Sequence, residues 1–192
     1  MKKIIILGVI IIIGMALAAC STPPTEEMQR AQDAVFQAES DANAVAYAGN
    51  TLVRARDALA RMENEVEAKR YDAAKEFAAE AISLAERAIT DGRTGRERAR
   101  SEAENLLESL GDLLAETISA LNAARQVENL ILDFDAISQD LDLARRTYDE
   151  AWQSLEGNNF QDAIAKGQYA RSLLSSINLR ISEAAQATSR KQ

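Results

Sequence analysis

The chain has 192 residues, with 22 Lys and Arg, 30 Asp and Glu, no His, one Cys and two Pro, and 47% of it is hydrophobic. Without His it has no imidazole general base and no Ser-His-Asp or Cys-His pair, and one Cys builds neither an internal disulfide nor a thiolate cluster. A net charge of −8 argues against the cationic surface that a nucleic-acid backbone needs, and the length fits one domain or two small ones.

Met1-Lys2-Lys3 is a basic head, Ile4 to Ala16 is an uncharged apolar run, and Leu17-Ala18-Ala19-Cys20 follows at once. That order reads as a secretory signal peptide ending in small residues. The competing reading is a transmembrane anchor, for which the seventeen uncharged residues 4–20 are near the lower limit. A lone Cys directly after Leu-Ala-Ala resembles the lipobox of bacterial lipoproteins. The resemblance implies that residues 1–19 are removed, that the thiol and new amino terminus of Cys20 carry acyl chains such as palmitate, and that residues 20–27 are a lipidated tether. Ser21, rather than Asp, implies the outer membrane, with the body facing the periplasm. Several acyl chains, at about 0.8 kcal/mol per buried CH₂, hold a domain on a bilayer almost permanently. Loss of Lys2 and Lys3 leaves 20 basic residues (22 − 2) against 30 acidic ones, so the mature chain carries about −10 and is repelled by an anionic membrane surface.

Pro23 and Pro24 close the tether, and no proline follows them. With 33 of the 36 alanines after residue 20, and no β-branched and aromatic alternation, the body is expected to be all-α. Apolar or small residues step by threes and fours through Met28–Val45, Leu52–Val66, Tyr71–Ala88, Ala103–Phe134, Leu141–Leu155 and Phe160–Ile181. Each run is a seam for side-by-side helix packing of the coiled-coil kind. Gly49-Asn50-Thr51 is expected to end the first helix and cap the second, through Asn50 or Thr51. Lys69–Asp72 reads as a tight turn, Gly157-Asn158-Asn159 as a C-cap and turn, and Asp135 or Ser138 as the cap of the fifth helix. Gly92 and Gly95, within Thr90–Gly95, mark the candidate hinge between halves. A continuous fourth helix over 103–134 would be about 48 Å long.

A shift of 89 residues brings out an internal repeat. Leu52/Leu141, Ala55/Ala144, Arg56/Arg145, Glu67/Glu156, Ala74/Ala163, Ala81/Ala170, Ser83/Ser172 and Leu84/Leu173 are identical, and Tyr71/Phe160 is conservative. Turns and seams keep the same register, so the expectation is two related three-helix units, packed as a bundle or a short solenoid. The domain plan is 28–92 for the first unit, then 93–192 for a linker helix and the second.

Tyr71-x-x-Ala74-x-x-x-Ala78-x-x-Ala81 and Phe160-x-x-Ala163-x-x-x-Gly167-x-x-Ala170 resemble the second helix of a tetratricopeptide repeat, although the first-helix signature of that family does not fall at the expected offsets. A closer likeness covers residues 28–92: an Ala-rich helix, then Ala55-Arg56-Asp57-Ala58-Leu59, then Tyr71-Asp72-Ala73-Ala74 opening another Ala-rich helix. It is similar to the envelope lipoproteins of domain-of-unknown-function family forty-three ninety-eight, with Gly49-Asn50 where that family usually has a Pro. The resemblance implies a periplasmic helical hairpin module with no established activity, and supplies no catalytic residues; no cofactor is expected.

Arg93, Arg96, Arg98 and Arg100 form the basic cluster, interleaved with Glu97, Glu102 and Glu104. It reads as a solvated helix surface with ion pairs at i,i+3 and i,i+4, or as a docking patch for an acidic partner, a lipid head group or a cell-wall carboxylate. Asp133/Asp135 and Asp140/Asp142 do not share a helix face, so neither pair makes a metal or acid–base site. Trp152, in place of Glu63 of the first unit, is either core edge or an exposed partner anchor, and Tyr169, in place of Glu80, belongs to the same candidate surface. The expected function is a non-enzymatic protein–protein interaction module for an envelope partner, with partner-binding candidates Trp152, Tyr169, Arg93 and Arg96. The alternative is a structural spacer or self-associating lipoprotein. Nucleic acid is not an expected partner, and the oligomeric state is open.

Overall fold

The computed structural model describes residues 23–190, all-α with no strand among the described residues. The helices are α1 Thr25–Ser40, α2 Ala42–Tyr47, α3 Gly49–Glu67, α4 Tyr71–Ala124, α5 Phe134–Glu156 and α6 Phe160–Ser189. The residues cluster into two compact units that divide between Arg93 and Thr94.

In the first unit the core is mostly alanine. Ala31, Ala38, Ala55, Ala74, Ala81, Ala85 and Ala88 are fully buried, joined by Val35, Leu52 and Met62. Side chains this small allow interaxial distances near the lower end of about 8–10 Å. The second core is built from larger groups, with Leu107, Leu110, Ile137, Leu174 and Ile177 buried around Ala144, Ala151 and Ala170. The register of 89 residues holds in detail. Ala85 and Ala88 correspond to Leu174 and Ile177, so the second unit takes more apolar surface out of water at the same positions.

The turns repeat atom for atom. After α3, the Arg70 amide donates to the Glu65 carbonyl and the Lys69 amide to that of Val66; after α5, Asn159 donates to Ser154 and Asn158 to Leu155. These are Schellman closures, which require a left-handed residue. Lys69 (φ 58°) and Asn158 (φ 61°) supply it, 89 positions apart. Asn tolerates that conformation and Lys pays a Cβ penalty for it. Gly157, at φ −73°, is the C-cap but not the left-handed residue.

Several expectations are corrected. The first helix does not run to Gly49. It ends at Ser40, and Asp41 starts a separate turn of helix by accepting from the Ala44 amide at 2.8 Å. Neither Asn50 nor Thr51 caps α3, which begins at Gly49; the Thr51 hydroxyl instead donates to Asp91 at 3.3 Å. Thr90–Gly95 does not interrupt the helix: α4 passes through it unbroken, and the division between the two compact units falls within it. Gly92 serves close approach: a Cβ there would lie 2.5 Å from the Ala44 amide nitrogen and 2.6 Å from the Asn43 carbonyl carbon. In the repeat its counterpart is buried Ile181, so in the first unit the backbone of α2 takes the space next to this position.

The fourth helix also stops at Ala124 rather than continuing to Phe134. Gln126 and Val127 donate back only three residues, to Ala123 and Ala124, and Asn129 turns left-handed at φ 62°. Beyond it Leu130 and Leu132 pack on the second core while Ile131 between them is 80% exposed. That alternation is extended chain, which the spacing Val127, Ile131, Phe134 had concealed. The cap of α5 is Asp133, whose carboxylate accepts from the Ala136 amide at 2.9 Å, rather than Asp135 or Ser138. Ser138 bonds back to the Phe134 carbonyl.

Candidate interaction surface

Cys20, the signal peptide and the first residues of the tether lie outside the described residues. Arg93 is exposed on α4. Arg96 is used within the second unit: it donates to Asn158 Oδ1 at 3.0 Å, pairs with Glu97 at 3.2 Å, and lies 5.0 Å from the centroid of the Phe160 ring. It braces the α5–α6 turn, where the left-handed Asn158 needs fixing. Arg100 pairs with Glu104 at 2.9 Å, one turn along the same helix.

Trp152 is half-buried against the second core, edge-on to Tyr148 with centroids 6.3 Å apart. The repeat explains its chemistry. In the first unit Gln32 and Glu63 are hydrogen-bonded at 3.5 Å; their counterparts are buried Leu121 and Trp152. An exposed polar pair has become an apolar one, and the indole extends the core edge. Room for Tyr148 comes from Gly111, where a Cβ would lie 2.9 Å from the phenol oxygen. Tyr169 is 51% exposed on α6.

The sequence reading missed a cleft of about 240 Å³ between α4 and α5. Ile118, Leu121 and Leu141 give it an apolar lining, and Asn122, Arg125, Ser138, Asp142 and Arg145 a polar one. Arg125 is held there by donating to Ser138 Oγ at 2.9 Å and by the Phe134 ring, 6.0 Å from its guanidinium. The loop leaving Arg125 exposes Val127 and Ile131. A smaller cleft in the first unit, about 140 Å³, is lined by Arg54, Asp57, Ala58, Arg61 and Glu80, whose charges balance.

The sequence signal for the larger cleft is the Arg56/Arg145 identity within the repeat. Arg56 is ion-paired at 2.5 Å with Glu39 of the neighbouring helix. The counterpart of Glu39 is Glu128, which lies beyond the end of α4 in an exposed turn. Arg145 therefore has no ion pair among the described residues, and neither does Asp142 in the same cleft.

At the α5–α6 turn, hydrogen bonds from Lys166 and then Ser154 hold the Asp162 carboxyl below the usual carboxylate range, against a smaller opposing effect of burial. The Arg70 hydrogen bond does the same for Glu65 in the last turn of α3. Among the described residues no group of three or more Asp, Glu, His or Cys is placed to hold a metal ion, and no helix is long and apolar enough to cross a membrane.

These features define an all-α protein of two compact units related by an 89-residue repeat, with a polar cleft at one end of the second. Residues 26–104 match the family described as Domain of unknown function (DUF4398), so the likeness read from residues 28–92 is borne out. No curated protein and no solved structure matches the chain.

Proposed function

We propose that this is a lipid-anchored helical-repeat protein of the bacterial cell envelope, working as a non-catalytic protein–protein interaction module through its second unit. The observation that carries this reading is the loop after α4, which holds Val127 and Ile131 in solvent, the latter 80% exposed, beside a cleft whose Arg145 has no ion pair among the described residues. In this extended segment Leu130 and Leu132 pack inward, and the alternation turns Ile131 between them out to solvent. Large apolar groups on a loop fixed by a rigid scaffold are what partner recognition uses. The envelope address rests on the order of charge, apolar run and Leu17-Ala18-Ala19-Cys20 in the sequence.

A photocrosslinking residue at Ile131, introduced into the full chain in living cells, is expected to give a discrete adduct with an envelope protein. The same residue at exposed Ser175 on α6 serves as the control. Absence of any adduct at Ile131 would refute the interaction surface, and adducts only to a second copy would favour a self-associating spacer. Cys20→Ser should abolish fatty-acid labelling and membrane pelleting; continued labelling would refute the anchor.

A further inference from the structure

We infer that the cleft between α4 and α5 binds a peptide carboxylate, with Arg145 as its principal charged contact; this rests on the interaction reading above and names the chemistry its partner presents. The fold contains its own precedent. In the first unit the equivalent arginine, Arg56, takes a carboxylate from the neighbouring helix, the Glu39 side chain at 2.5 Å. In the second unit the helix that would deliver the matching Glu128 has ended at Ala124, so the arginine stands without its acid and a cleft opens beside it.

The lining suits such a ligand. Arg145 and Arg125 offer planar donor forks, which match a carboxylate geometrically. Ser138 and Asn122 add neutral hydrogen-bonding groups, and Leu121 and Leu141 give an apolar wall for an adjoining side chain. Asp142 faces the same space and is the one acidic group lining it. It leaves the lining with a net charge of +1 (two arginines against one aspartate) in a chain of −8, and it can accept a peptide N–H of the ligand. At about 240 Å³ the cleft falls below the roughly 300–1,000 Å³ of whole small-molecule sites. It therefore takes one residue of a peptide: its carboxylate and the apolar group next to it.

The test is NMR titration of the full chain in detergent micelles with three short peptides. Acetyl-Leu-Ala with a free terminal carboxylate and acetyl-Glu-Leu-amide with a side-chain carboxylate represent the two sources. Acetyl-Leu-Ala-amide carries no charge. Shifts at Arg145 and Leu141 are expected with at least one carboxylate peptide and not with the neutral one, and the stronger of the two identifies the source. Arg145→Gln, at an exposed position, is expected to weaken that binding about tenfold or more, on the scale of charge-assisted hydrogen bonds. Arg30→Gln, in the first unit, is the control and should leave it unchanged. Equal binding of all three peptides would overturn the carboxylate assignment while leaving an interaction surface. Undiminished affinity in Arg145→Gln would overturn it too. Binding of none would overturn it, with the Ile131 crosslink still deciding the interaction reading separately.

Discussion

Gly92→Ala sets two magnitudes against each other. Gly92 lies inside α4, where alanine is intrinsically favoured by about 0.8–1.0 kcal/mol. The added methyl, however, would lie 2.5, 2.6 and 2.7 Å from the Ala44 nitrogen, the Asn43 carbonyl carbon and the Ala44 Cα. Comfortable contact between such atoms is about 3.5–4.0 Å, so the overlap is about 1 Å. All three atoms are backbone and cannot rotate away, so α2 must shift bodily, and overpacking of this kind costs about 1–3 kcal/mol. Overlap with three backbone atoms puts the cost at the upper end of that range, which less the alanine preference leaves a net loss of about 2 kcal/mol, read as a lower urea midpoint by far-ultraviolet circular dichroism on the full chain in detergent. Gly49→Ala is the matched comparison, since nothing lies within 4 Å of its Cβ position, and it should be neutral or stabilising. A Gly92→Ala chain as stable as the parent would refute the close approach of α2 to α4.

Gly167→Ala should be milder than Gly92→Ala, because its nearest neighbours are the side-chain atoms of Leu106 and Leu107, at 2.8–3.2 Å, which can re-rotate; an equal or larger loss would count against that distinction. Thr117→Val should cost about 1–3 kcal/mol in urea unfolding, since the buried hydroxyl accepts from Asn178 at 2.9 Å and its loss strands the amide; a neutral result would mean that Asn178 re-pairs with water. Lys69→Gly should stabilise by about 1 kcal/mol by relieving the left-handed lysine at φ 58°, whereas the same change at Asn158 should gain less. Because the folded-state pKa of Asp162 is lowered, its stabilisation is complete above the unfolded value and disappears as pH falls through the lowered one. Asp162→Asn should therefore flatten the loss of stability in the acid carboxylate range; parallel acid profiles for parent and variant would contradict this.

The period of the apolar seams, the turn at 68–70 and its repeat at 157–159 were all legible, because they are local. Helical spacing and Schellman closure involve residues within about six positions of one another. The repeat was legible for the same reason, and it located Arg145. The absence of a break at Gly92 was not. A glycine in a helical run reads as a hinge by composition, and only the backbone of α2, some fifty residues away in the chain, shows that the missing Cβ makes room for a neighbour. The end of α4 was hidden differently: Val127, Ile131 and Phe134 keep helical spacing, yet Asn129 turns left-handed and Leu130 and Leu132 face the core.

Residue identity and short-range order were enough for the all-α class, the register of the duplication and the absence of any imidazole. The tertiary structure alone decided which arginine keeps its acid. Arg56 and Arg145 are identical residues at equivalent exposed positions, and Glu39 and Glu128 are equivalent acids, but one acid is presented by a helix and the other lies past a helix end. Ion pairing depends on where two side chains are carried in space. A helix that stops four residues before its glutamate leaves the arginine without an ion pair among the described residues and opens a cleft beside it.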